Sequence, residues 1–159
     1  MSLVDSLAEC LSNSVVLKNK AQGYHWNVMG PDFGEFHDFF GSYYEDVESA
    51  VDPIAEAIRY RGVQAPYKLS QFMALSSLSE SEVGSDAMGM LEDLLFDNKR
   101  MISCLSSTFD AAVAVNDQGI ADLIAARLGA HEKWNWKISA YLGQEATLDT
   151  APARNQLGL

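Results

Sequence analysis

Two imidazoles and two carboxylates are the residues here whose type and spacing suit metal chemistry. His25 and His37 lie in the stretch GYHWNVMGPDFGEFHDFF, on either side of Gly30-Pro31. Gly stops a helix and Pro opens one, so this pair marks a hinge between two helices. His25 falls about one and a half turns before the hinge and His37 about one and a half turns after it. An antiparallel hairpin brings both imidazoles to the same height, where they can ligate a transition metal. The competing reading is a pair of satisfied histidines at a core edge. Further on, VDPIAEAI places Asp52 and Glu56 at i, i+4 on one helical face, among apolar neighbours. Burying unpaired carboxylates there is costly unless a cation meets them; the alternative is an exposed acidic stripe.

Asp52 lies about 22 Å further along a straight helix than His37, at ~1.5 Å per residue. The four residues therefore cannot share an ion within one chain. A second chain, packed antiparallel on the same face, brings its hairpin end to the first chain's Asp52 and Glu56. Two-fold symmetry then permits two identical mixed His–carboxylate sites, a donor set that suits iron. A metal centre inside one bundle, built from Glu-x-x-His on two helices, is not expected: no Glu-x-x-His occurs, and His131-Glu132 are adjacent and point apart.

The elements that must position these residues are helical throughout. Leu3, Leu7, Cys10, Leu17, Ala21, Tyr24 and Val28 form a stripe on a first helix. Phe33, Phe36, Phe40, Val47, Val51, Ile54 and Ile58 form one on a second, ended by Gly62 and bent near Pro53. Residues 63–78 make a long crossover with a short helix over KLSQFMALS. A capping box at Ser79-Glu80-Ser81-Glu82 predicts the start of a third helix, with Met88, Leu91, Leu95, Asn98, Ile102, Leu105, Phe109 and Ala112 on its core face. The fourth covers Ile120 to about Leu142. The expectation is an all-α four-helix bundle with a crossover, one domain over residues 1–145 and a loose tail over 146–159.

The chain has 159 residues, 48% hydrophobic, with 22 acidic against 11 basic side chains and a formal net charge of −11. That charge disfavours nucleic acid and favours attraction of cations. No apolar run is long enough for a bilayer and no signal peptide opens the chain, so a cytoplasmic protein without a membrane partner is expected. Cys10 and Cys104 are expected as free thiols.

HWNVMGPDFGEFHDFF followed by VDPIAEAIRYRG closely resembles the Dps-like mini-ferritins, whose signature is a His-Trp-Asn-Val-x-Gly-Pro turn, a second His and a later Asp-x-x-x-Glu. DLIAARLGAHEKWNWKISAYLG looks like that family's last helix. The resemblance implies a ferritin-like bundle assembled as a hollow homododecamer. It implies a ferroxidase that oxidises Fe(II), with hydrogen peroxide or more slowly dioxygen, at inter-subunit centres and stores the ferric mineral inside. His25 and His37 would bind iron from one subunit, and Asp52 and Glu56 from its neighbour. Trp26 would accept oxidising equivalents or serve only in packing. Asp117 and Asp122 match positions lining acidic three-fold pores, or else are helix-start acids. Many relatives carry Asp one turn after the second His; this chain has Gly41, so one firm and one weaker iron position are expected, and Gly41→Asp should raise turnover if that carboxylate matters. Strong DNA binding is not expected, since residues 1–17 hold no Lys or Arg. The alternative is a cage of the same architecture with weak or lost oxidation, acting as a binding or structural shell.

Overall fold

The computed structural model describes residues 1–80 and 82–147. Six helices follow in order: α1 (Leu3–Asn27), α2 (Phe33–Glu48), α3 (Val51–Tyr60), α4 (Leu69–Leu75), α5 (Ala87–Ala114) and α6 (Gln118–Tyr141). α1 packs on α2, α3, α4 and α5, and α6 packs on α5 and touches α3. With α2 and α3 taken as one interrupted rod, this is the expected four-helix bundle, and α4 is the short helix in the crossover.

Pro53 explains the interruption. It has no N–H to donate to the carbonyl four residues back, and its ring crowds that carbonyl. The carbonyl belongs to Ser49, and α2 ends just there, with Ser49 and Ala50 forming a turn before α3 resumes. At the far end, Gly62 takes φ 75°, which an L side chain resists, and the rod stops.

The third bundle helix starts later than the sequence suggests. Asp86, not the Ser79–Glu82 box, is its N-cap: the carboxylate accepts from the Gly89 N–H at 2.9 Å. Ser79, Glu80 and Glu82 are non-helical and exposed, and Ser81 lies outside the described residues. The α5 core face is broader than the expected stripe, of which Leu91, Leu95, Asn98, Ile102, Leu105 and Ala112 are buried. Met90, Leu94 and Met101 are buried with them, while Met88 is exposed. The expected tail lies outside the described residues beyond Thr147.

Two polar ties fix the register of the helices. Lys20 on α1 bonds Asp93 at 2.8 Å and also Asp97, both on α5, and the Tyr24 hydroxyl donates to Asp93 at 2.5 Å. Burial pushes the Asp97 carboxyl above its usual range, even against the pull of Lys20. On the other side, Arg127 of α6 grips Asp46 of α2 in a two-pronged pair at 3.2 and 2.9 Å, and Trp134 Nε1 donates to the same carboxylate at 2.8 Å. Burial alone would raise the Asp46 carboxyl; the bonds from Arg127 and Trp134 outweigh it and hold the group below the carboxylate range. Both ties bear on the hairpin: one anchors the helix that carries His25, the other the helix that carries His37.

Among the described residues, no helix is long and apolar enough to cross a membrane.

Candidate metal centre

The hinge brings the two histidines together. Val28 ends α1 with its N–H on the Tyr24 carbonyl, and Gly30 turns the chain at φ 130°. The Met29 N–H donates to the Ser85 carbonyl at 2.9 Å, which stitches the turn to the segment entering α5. The His25 and His37 rings stack with centroids 3.7 Å apart and planes 23° from parallel. Tyr44 meets His25 edge-on at 5.4 Å, and Phe33 lies against His37 at 5.2 Å.

The hydrogen bonds are reciprocal. His25 Nδ1 donates to the His37 backbone oxygen at 2.7 Å, and His37 Nδ1 donates to the His25 backbone oxygen at 2.8 Å. A carbonyl can only accept, so each Nδ1 carries the proton. In the neutral imidazole, each Nε2 then presents its lone pair. A ring N–H on a backbone carbonyl, with the second nitrogen free, is the arrangement that orients a metal-binding histidine. The bond from His37 also satisfies one of the carbonyls that the last turn of α1 leaves without a helical partner. The residues fit a transition metal on the strength of this tautomer.

Asp52 and Glu56 are not part of that cluster. They are exposed on α3, whose buried face is Ile54, Ala57 and Ile58, and Tyr60 Oη lies 3.4 Å from a Glu56 oxygen. Among the described residues, no three His, Cys, Asp or Glu side chains of one chain converge into a metal-holding group. Trp26 stands 65% exposed beside His25. Asp117 caps α6 by accepting from the Ile120 N–H at 3.0 Å, and it also pairs with Arg61. Asp122 is exposed on the same helix. Sequence reasoning did not find the enclosing rings of Phe33 and Tyr44, although i, i+4 spacing from His37 to Phe33 was a visible signal.

Gly41 has a positive role here. A Cβ at this position would come within 3.2 Å of His25 Nδ1 and 3.3 Å of Cε1. The bare α-carbon lets the imidazole lie over α2 and reach the His37 carbonyl. Gly41→Ala is expected to displace a ring already held by its stacking partner and by its hydrogen bond. Apparent affinity for Co(II), titrated by absorbance, should fall by about tenfold. Displacing that ring offsets the about 1 kcal/mol by which Ala is favoured over Gly in a helix, so the melting temperature should gain little. The contact applies equally to Gly41→Asp, so the expected gain from restoring a carboxylate is opposed by displacement of His25.

This bundle, with paired histidines at the mouth of its first hairpin, belongs to the ferritin-like domain family, whose model matches residues 4–148. Its relatives include proteins of DNA protection during starvation, and its structural neighbours include Dps proteins. The chain is 28% identical to DNA protection during starvation protein 2 of Bacillus anthracis, over 89% of this chain and 97% of that protein. It is 30% identical to an uncharacterized low temperature-induced protein of Nostoc, over 88% of this chain and 79% of that one. Dps from Staphylococcus aureus superposes with a TM-score of 0.85 at 27% identity, covering 90% of this chain and 96% of the other. Dps from Listeria monocytogenes shares the fold at a TM-score of 0.88 and 20% identity, over 92% and 96% of the two chains.

Proposed function

We propose that this Dps-like chain is the subunit of a homododecameric cage that oxidises Fe(II) with hydrogen peroxide and stores the ferric product. Each oxidation centre takes His25 and His37 from one subunit and Asp52 and Glu56 from its two-fold neighbour. The observation that carries this reading is the reciprocal Nδ1–carbonyl pair, which commits both imidazoles to a metal-ready tautomer. Two exposed carboxylates at i, i+4 on α3 supply the hard oxygen donors that a histidine pair lacks. Apolar surface suits the neighbour: Met29, Leu69, Met73 and Leu75 are exposed beside the hairpin and along α4. An open groove of about 1000 Å³ runs between α1 and the crossover, lined in part by Tyr24, Phe72 and Met90. Exposed apolar area of this kind marks an interaction face.

Iron is the substrate. Two Fe(II) ions each give one electron, the peroxide O–O bond breaks, and two protons complete two waters. Passing both electrons at one site avoids the one-electron step that releases hydroxyl radical. Anaerobic Fe(II) loading followed by peroxide tests this. Ferric absorbance should rise in the native protein, and a trace no higher than that of His25→Ala/His37→Ala rejects the proposal.

The second reading, a cage without efficient oxidation, is favoured by one feature. Gly41 leaves no carboxylate one turn after His37, and its space is taken by His25. Tight Fe(II) binding without ferric product after peroxide would establish that reading.

A further inference from the structure

Where α1 packs on α5, Cys10 meets Cys104. Their Sγ atoms are 2.7 Å apart and both are free thiols. A bonded pair sits at about 2.05 Å, so closure needs a movement of well under about 1 Å. The protons can be placed. Thr108 Oγ1 donates to the Cys104 carbonyl at 2.9 Å, so its oxygen is left to accept from the Cys10 S–H at 3.1 Å. The Cys10 sulfur is then the acceptor for the Cys104 S–H.

The two thiols differ in access. Cys10 is fully buried, whereas Cys104 forms the floor of an open pocket of about 270 Å³, walled by Glu9, Ser77, Arg100, Ser103 and Ser107. That pocket admits a molecule of peroxide size.

We propose that Cys10 and Cys104 form a dithiol centre that reduces a hydroperoxide, Cys104 attacking it and Cys10 closing the disulfide. Cys104 sulfur takes the distal oxygen, the O–O bond breaks, and the products are a Cys104 sulfenic acid and one water. Cys10 sulfur then attacks Cys104 sulfur, and the departing hydroxide leaves with the Cys10 proton as a second water. Two thiol electron pairs have become one S–S bond plus two electrons on the peroxide. Contact with Cys10, together with burial, holds the Cys104 thiol above its usual range. Little thiolate is therefore present at neutral pH, so the attack by Cys104 is slow there and should quicken as pH rises.

The test uses the assembled, chelator-treated protein without iron, so its outcome is independent of the proposed ferroxidase centre. After hydrogen peroxide, the count of titratable thiols in denaturant should fall from two per chain to none. The chain should be lighter by two hydrogen atoms, with one peroxide consumed per chain and a peptide linking Cys10 to Cys104 in a non-reducing digest. Cys10→Ser should give a dimedone-trapped sulfenic acid at Cys104; Cys104→Ser should leave the buried Cys10 untrapped. Two persisting thiols in the native chain, or a disulfide joining separate chains, would overturn the proposal. Trapping of Cys10 in Cys104→Ser as fast as of Cys104 in Cys10→Ser would overturn the assigned order.

Discussion

Two inactive variants, co-refolded in equal amounts, are expected to recover about a quarter of native Fe(II) oxidation. One variant is His25→Ala/His37→Ala and the other is Asp52→Asn/Glu56→Gln. Each alone removes half of every proposed coordination sphere and should lose more than about 100-fold in rate. Both keep the bundle, since Asp52 and Glu56 are exposed and the histidine rings lie outside the main core. In a mixed assembly, a complete site needs histidines from an acid-deficient chain and carboxylates from a histidine-deficient neighbour. Random pairing gives each condition a probability of one half, hence about one site in four. Assemblies folded separately and then mixed should stay inactive. Co-assembled cages, verified as mixed by native mass spectrometry, that show only the summed background would exclude a shared site.

That experiment addresses the step at which the sequence stops. The placement of His25 and His37 about Gly30-Pro31 sufficed to put them at one height, because helical rise and a hinge determine height. It did not show that each ring would bond the other's backbone, since that depends on how closely α1 and α2 approach. Gly41 sets that approach. In sequence it registers only as a missing carboxylate; in three dimensions it is the space that the His25 ring fills. Asp52 and Glu56 look costly when read beside Val51, Ile54 and Ile58, yet the phase of α3 turns them to solvent.

The architecture was legible for a similar reason and failed in similar places. Apolar period and the long crossover imply the bundle, and Pro53 implies a break. The break lies four residues earlier, at the carbonyl that the Pro ring displaces. A capping box is a local signal, and Asp86 with its Gly89 bond outcompetes the earlier one. Asp97 and Lys20 stand out in no sequence motif, and their pairing depends on the packing of α1 against α5. The clue was there: Asp97 sits at i+3 from Leu94 and i−4 from Met101, on the buried face.

Stability should decline as pH falls from 7.5 to 5.0, by about 2 kcal/mol from His131 alone. His131 is 1% exposed. Its Nδ1 donates to Asn98 Oδ1 at 2.7 Å, the same oxygen takes the Tyr43 hydroxyl at 2.9 Å, and Asn98 Nδ2 returns a bond to the His131 carbonyl at 2.9 Å. This closed circuit serves a neutral ring. Burial first, then the nearby Arg127 charge, push its pKa down from 6.5 to about 3, against a smaller opposing pull from Asp46. The sign follows from proton uptake. Above pH 6.5 neither state is protonated at His131 and the contribution is fully present. Below it the unfolded chain takes up a proton that the fold refuses, so stability drops by about 1.4 kcal/mol per unit towards pH 3. The carboxylates do not mimic this. Asp46, held low, loses its contribution only below the usual carboxylate range, and Asp97, held high, works in the opposite direction because acid relieves it. Urea unfolding at fixed protein concentration, at pH 7.5, 6.0 and 5.0, reads the slope. His131→Gln keeps an amide that can bond Asn98 and has no proton to gain, so its curve should begin lower at pH 7.5 and run flatter. An unchanged slope in that variant would place the acid sensitivity on groups other than His131.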